Sequence, residues 1–146
     1  MQAQTTTIPD PAFEQALIDL GYDDIIDGIV TTADIVDVTH LDVSMKDIED
    51  LTGIEDFVSL SVLDCHGNQL TSLDISQFQS LWNLDCYNNQ LNYLDLSQHN
   101  GLVYLFCGNN ELDTLIMPEA SQNFRELEAS NNNLTQLEMT NYSALM

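Results

Sequence analysis

The sequence predicts a solenoid of stacked coils, one short strand per coil, closed at its N-terminal end by a small helical cap. Three observations predict it. Cys65, Cys86 and Cys107 stand 21 residues apart. Each lies inside the same string of apolar spacings, and five copies of that string run from Val38 towards the end of the chain. Before residue 38 the apolar period becomes that of a helix.

The copies align from their first leucine. Leu60-Ser-Val-Leu63-Asp-Cys65-His-Gly-Asn68-Gln-Leu70 is followed by Leu81-Trp-Asn-Leu84-Asp-Cys86-Tyr-Asn-Asn89-Gln-Leu91, then Leu102-Val-Tyr-Leu105-Phe-Cys107-Gly-Asn-Asn110-Glu-Leu112. A fourth starts at Phe124 with Leu127, Ala129, Asn132 and Leu134, and an earlier, poorer one starts at Val38 with Leu41, Val43, Lys46 and Ile48. Leu63 and Cys65 alternate with Val62, Asp64 and His66, the period of a strand with one buried face. Leu70 falls beyond a bend, where Asn68, Asn89, Asn110 and Asn132 recur. A buried amide can serve backbone donors and acceptors together, so stacked copies form a structural ladder. A second half, Leu91-Asn-Tyr-Leu94-Asp-Leu96 and its equivalents, forms a return leg with a short extended piece. The cysteine column is expected to be buried apolar filler; a disulfide or a metal is the alternative.

The pattern LxxLxCxxNxL resembles leucine-rich repeats, and the 21-residue unit with its LxxLDL half is similar to the irregular class of secreted bacterial proteins. The resemblance covers residues 38–146. It implies a leucine-rich-repeat solenoid with parallel β-strands on the concave face and short extended or irregular convex legs. It also implies a secreted or cell-surface protein that binds other proteins. Lys46 in place of Asn, Ala129 in place of Cys, and Phe106 and Ile116 in place of Asp depart from the pattern.

Residues 8–37 are expected to form the helical cap. Asp10 is placed as a helix N-cap with Pro11 at the first helical position; Phe13, Ala16, Leu17 and Leu20 keep helical spacing, and Gly21 stops it. A second short helix is expected from Thr32 to about Asp37. The segment Ile8–Leu17 resembles the N-terminal cap of internalin-like proteins. Asp23, Asp27, Gly28 and Asp34 fall at calcium-loop positions, but Ile25 occupies a place that requires an oxygen, so a structural turn is favoured over calcium. Residues 1–7 are expected to be a structureless mature N-terminus. Leu145 stands where a sixth coil would begin, which suggests a piece of a longer protein and self-association through an open last coil.

Charge narrows the partners. Lys and Arg total 2 against 24 Asp and Glu, for a net charge of -22. Nucleic acid and anionic membrane surfaces are excluded, because binding them relies on clustered cations. Basic proteins, divalent cations and neutral glycans stay open, as does a merely solubilising role. No apolar run approaches the roughly 20 residues a membrane helix needs.

Reading outward-facing positions across coils gives three columns. The first is His40, Val62, Asn83, Tyr104 and Glu126; the second is Asp42, Asp64, Asp85, Phe106 and Glu128; the third is Ser44, His66, Tyr87, Gly108 and Ser130. Trp82 and Arg125 stand just before them. Stacked Asp42, Asp64 and Asp85 repel one another unless solvated, or unless a cation or a basic partner group sits among them. Trp82, Tyr87, Tyr104 and Phe106 are expected to converge, as a satellite cluster, an interface hot spot or a platform for sugar rings. His40, His66 and His99 are the general bases available, but no nucleophile elbow, metalloprotease motif or phosphate loop accompanies them. The expectation is therefore a non-catalytic module without cofactor or metal. It binds a protein on the residues of these columns; a glycan-binding surface or a spacer is the alternative.

Overall fold

The computed structural model of the chain describes residues 3–119 and 123–137. The cap comprises strand β1 (Thr5–Thr7), helix α1 (Pro11–Asp19), strand β2 (Ile29–Thr31) and a single helical turn, α2 (Thr32–Ile35). Helix α1 starts and stops as its residues dictate. Asp10 accepts from the Ala12 and Phe13 N–H groups, Pro11 sits where no N–H is needed, and Gly21 takes a left-handed φ of 82°. Phe13, Ala16 and Leu17 are buried beneath it.

One expectation for the cap is corrected. Thr5–Thr7 is not structureless: it pairs antiparallel with Ile29–Thr31, Thr6 opposite Val30. Thr6 is 4% exposed, and its hydroxyl meets Thr32 Oγ1 at 2.9 Å and donates to Asp56 Oδ2 at 2.5 Å. The pairing partner lies some two dozen residues downstream, so a local reading of a polar terminus does not see it. Met1 and Gln2 lie outside the described residues.

Five strands then form one parallel sheet: β3 (His40–Asp42), β4 (Val62–Asp64), β5 (Asn83–Asp85), β7 (Tyr104–Phe106) and β9 (Glu126–Glu128). Between them, β6 (Tyr93–Asp95) and β8 (Thr114–Ile116) pair on the return side. The register runs Leu41, Leu63, Leu84, Leu105, Leu127 along the inner face. Cys65, Cys86 and Cys107 form a second inner row, each fully buried and unpaired. Burial pushes the Cys107 thiol up to about 12 and raises the Cys65 and Cys86 thiols as well. Fully hiding one leucine is worth roughly 1.5–3 kcal/mol, but a single coil cannot hide its own edge; stacking can.

The asparagine ladder is present in all four copies. Asn89 is typical: its Oδ1 accepts from the Leu70 N–H one coil back, and its Nδ2 donates to the Cys65 and Cys86 carbonyls. Asn68, Asn110 and Asn132 repeat this arrangement. Lys46 breaks the ladder where no coil lies beneath. Its Nζ reaches outward to Asp19 at 2.8 Å instead, which ties the first coil to the cap helix. A sixth coil beginning at Leu145, and any association through it, lie outside the described residues.

Candidate functional site

Strand pairing fixes the outward columns. His40, Val62, Asn83, Tyr104 and Glu126 stand in register, as do Asp42, Asp64, Asp85, Phe106 and Glu128. The backbone bonds Met45 to His66, Gly67 to Tyr87, Asn88 to Gly108 and Asn109 to Ser130 carry the third column. His40, Asp42, Arg125 and Glu126 at the two ends of the face are exposed; Asp64, His66, Asn83, Asp85, Tyr87, Tyr104, Phe106 and Glu128 between them are half-buried.

The acidic column is built by a local rule. Asp42 Oδ1 accepts from the Ser44 N–H, Asp64 Oδ1 from the His66 N–H, Asp85 Oδ1 from the Tyr87 N–H, and Glu128 Oε1 from the Ser130 N–H. Each carboxylate thus closes the turn that ends its strand. Consequences for charge differ along the column. The Ser44 hydroxyl and N–H hold Asp42 below the usual carboxylate range. Burial pushes Asp85 above it; the Tyr87 N–H opposes, and the Asp64 and Glu128 charges add to the rise.

The two strand histidines part company. His66 Nδ1 meets Asp64 Oδ1 at 2.7 Å, and this bond raises the imidazole above its ordinary range. His40 turns to the Thr39 hydroxyl at 2.9 Å. His99 is not on this face at all. It is 3% exposed in the column of Phe57 and Phe78, with Nε2 at 3.0 Å from the Ile75 carbonyl oxygen.

The aromatics divide as well. Trp82, 38% exposed, packs edge-on against Tyr104 with ring centroids 6.1 Å apart. The Tyr87 hydroxyl accepts from Asn109 Nδ2 at 2.7 Å, which ties that ring to the lower rim. Phe106 stands between Asp85 and Glu128 in its column without a ring partner among the described residues. The four rings therefore do not form one cluster.

Two features escape a sequence reading. Gly108 is where the Glu128 carboxylate lies, and a Cβ there would collide with it. Asp64, His66 and Asp85 bring three potential ligand atoms within 4.8 Å of one another. The 23–34 loop gathers no such group among the described residues. It is closed instead by the buried Glu14, whose Oε1 accepts from the Asp27, Gly28 and Ile29 N–H groups at 2.9, 2.7 and 3.2 Å.

Coil length, inner rows and strand face together define a leucine-rich-repeat solenoid. The functional domain of InlJ from Listeria monocytogenes, which includes a cysteine ladder, superposes with a TM-score of 0.84 at 27% identity. That match covers 99% of this chain and 33% of the other. An internalin of the same organism, InlF, matches 73% of this chain and 32% of its own, with a TM-score of 0.65 at 24% identity. The chain is an internalin-like leucine-rich-repeat protein, and it spans about a third of the length of these solved structures. No family model and no curated protein sequence matches it. No helix among the described residues is long and apolar enough to cross a membrane.

Proposed function

We propose that the concave strand face is a recognition surface for another protein, presented outside the cell, and that it performs no catalysis. The observation that carries this reading is the break in the acidic column. Phe106 replaces the aspartate of three earlier coils and lies two residues along its strand from Tyr104, the ring on which the exposed Trp82 packs. Asp42, Asp64 and Asp85 lie on one side of this apolar strip, and Glu126 and Glu128 on the other. An apolar centre within a charged rim is the anatomy of a protein interface. The rim is almost wholly acidic, so it selects a partner whose contact surface is basic. Solenoid curvature offers the extended area such a contact needs.

Phe106→Asp restores the repeat's own residue and leaves the inner rows untouched. It is expected to abolish capture of a basic partner protein from a cell-surface extract while the circular dichroism spectrum stays unchanged. Retained capture by this variant rejects the reading. A glycan array provides the second arm: binding to sugars with an unchanged protein-capture result would transfer the Trp82–Tyr104 pair to a carbohydrate platform.

A further inference from the structure

We infer that Asp64, His66 and Asp85 form a site for one divalent transition-metal ion of the zinc class on the concave face. The three residues come from two adjacent strands, β4 and β5, and from the turn after β4. Their ligand atoms, two carboxylate oxygens and one imidazole nitrogen, all lie within 4.8 Å of one another. In a tetrahedral zinc site, bonds of about 2.1 Å place neighbouring ligand atoms about 3.4 Å apart. Side-chain rotation can close that difference, because all three residues are only half-buried.

The surroundings point the same way. Oδ1 of each aspartate is occupied by the N–H two residues on, and Oδ2 takes no hydrogen bond from the described residues. Two further acceptors beside the cluster, Asn83 Oδ1 and Glu128 Oε2, are buried with no donor. An oxygen hidden from water without a donor is costly. Here two of them accompany the two carboxylates and the histidine, with no lysine or arginine ion-paired to the group among the described residues. This patch offers more acceptors than donors.

Ligand chemistry selects the ion. Calcium and magnesium take six or more oxygens, whereas a histidine nitrogen with two carboxylates suits zinc, cobalt or nickel. Three protein ligands leave at least one coordination position open to water or to a side chain of a bound partner. The site rests on the concave-face reading only for that last role, since the ion would be held without any partner.

Titration of tag-free protein with zinc, followed by calorimetry, tests the site. One ion is expected to bind, and excess magnesium or calcium should not displace it. His66→Gln and Asp85→Asn should each weaken binding by about tenfold or more, as losing even a ligand's outer partner does. Asp113→Asn, which removes an equal charge elsewhere, should leave it unchanged. With zinc, which is diamagnetic, the His66 imidazole resonances should shift while those of His40 and His99 stay in place. Equal affinity in all variants, displacement by calcium, or a response at His40 or His99 overturns the site. Such a result leaves the Phe106 capture experiment standing on its own.

Discussion

Asp10 accepts a hydrogen bond from the Glu49 backbone N–H at 2.7 Å, joining residues 39 positions apart. The same Oδ2 takes the Asp50 N–H at 2.9 Å, while Oδ1 caps helix α1 through Ala12 and Phe13. One carboxylate thus starts the cap helix and fastens it to the first coil. A solenoid whose end coil is not covered exposes its core, so this junction sits where fraying would begin.

Asp10→Ala should cost about 1–3 kcal/mol in urea unfolding, a cap's worth plus the tether. Acid supplies a second check. Burial works against the Asp10 charge, but the Asp50, Glu49, Ala12 and Phe13 N–H bonds outweigh it and lower the folded carboxyl below 3.8. The charged form is therefore favoured in the fold. Its contribution is whole above the unfolded value of 3.8 and disappears as pH falls through the lower folded value. The stability gap between wild type and Asp10→Asn should stay constant from neutral pH to that point and narrow below it. A gap that widens in acid would contradict the assignment.

Asn89→Ala should destabilise the chain by about 2–5 kcal/mol, since it strips donors and acceptors from three buried backbone groups at once. Asn132→Ala should cost less, because Asn132 is only half-buried and water can replace part of what it satisfies. Equal losses at the two positions would show that the ladder does not work by burial.

His99→Phe should raise stability by about 1 kcal/mol, read as a higher denaturant midpoint. His99 Nδ1 is buried without a partner, and the two preceding coils place Phe57 and Phe78 at this point. The Ile75 carbonyl that would lose Nε2 keeps the Phe78 N–H at 3.0 Å. A lower midpoint would mean that the imidazole holds something its neighbours do not reveal.

What the sequence could disclose followed the reach of its signals. Leu63, Cys65 and Asn68 declared their roles because each recurs one coil later, and periodicity is a statement about burial. The outward placing of Asp64 and His66 was legible for the same reason, as they lie two residues apart. Glu14 was not: a carboxylate on a cap helix suggests an exposed side chain, and its burial under Asp27, Gly28 and Ile29 depends on how a later loop folds back. Nor was the fate of the rings legible. Tyr87 is drawn away to Asn109, a residue whose left-handed turn conformation (φ 49°) no column count supplies.

Register along the face has a geometric corollary. A partner laid along the stack meets a new row of side chains about every 4.8 Å. An α-helix advances 5.4 Å per turn, so it slips by roughly 0.6 Å with each coil it crosses. Over the five strands from His40 to Glu126 the accumulated slip exceeds 2 Å by that estimate, too much for side chains to keep step throughout. A straight helix can therefore mesh with only part of this face. Filling the whole length calls for a partner with the pitch of stacked strands or loops.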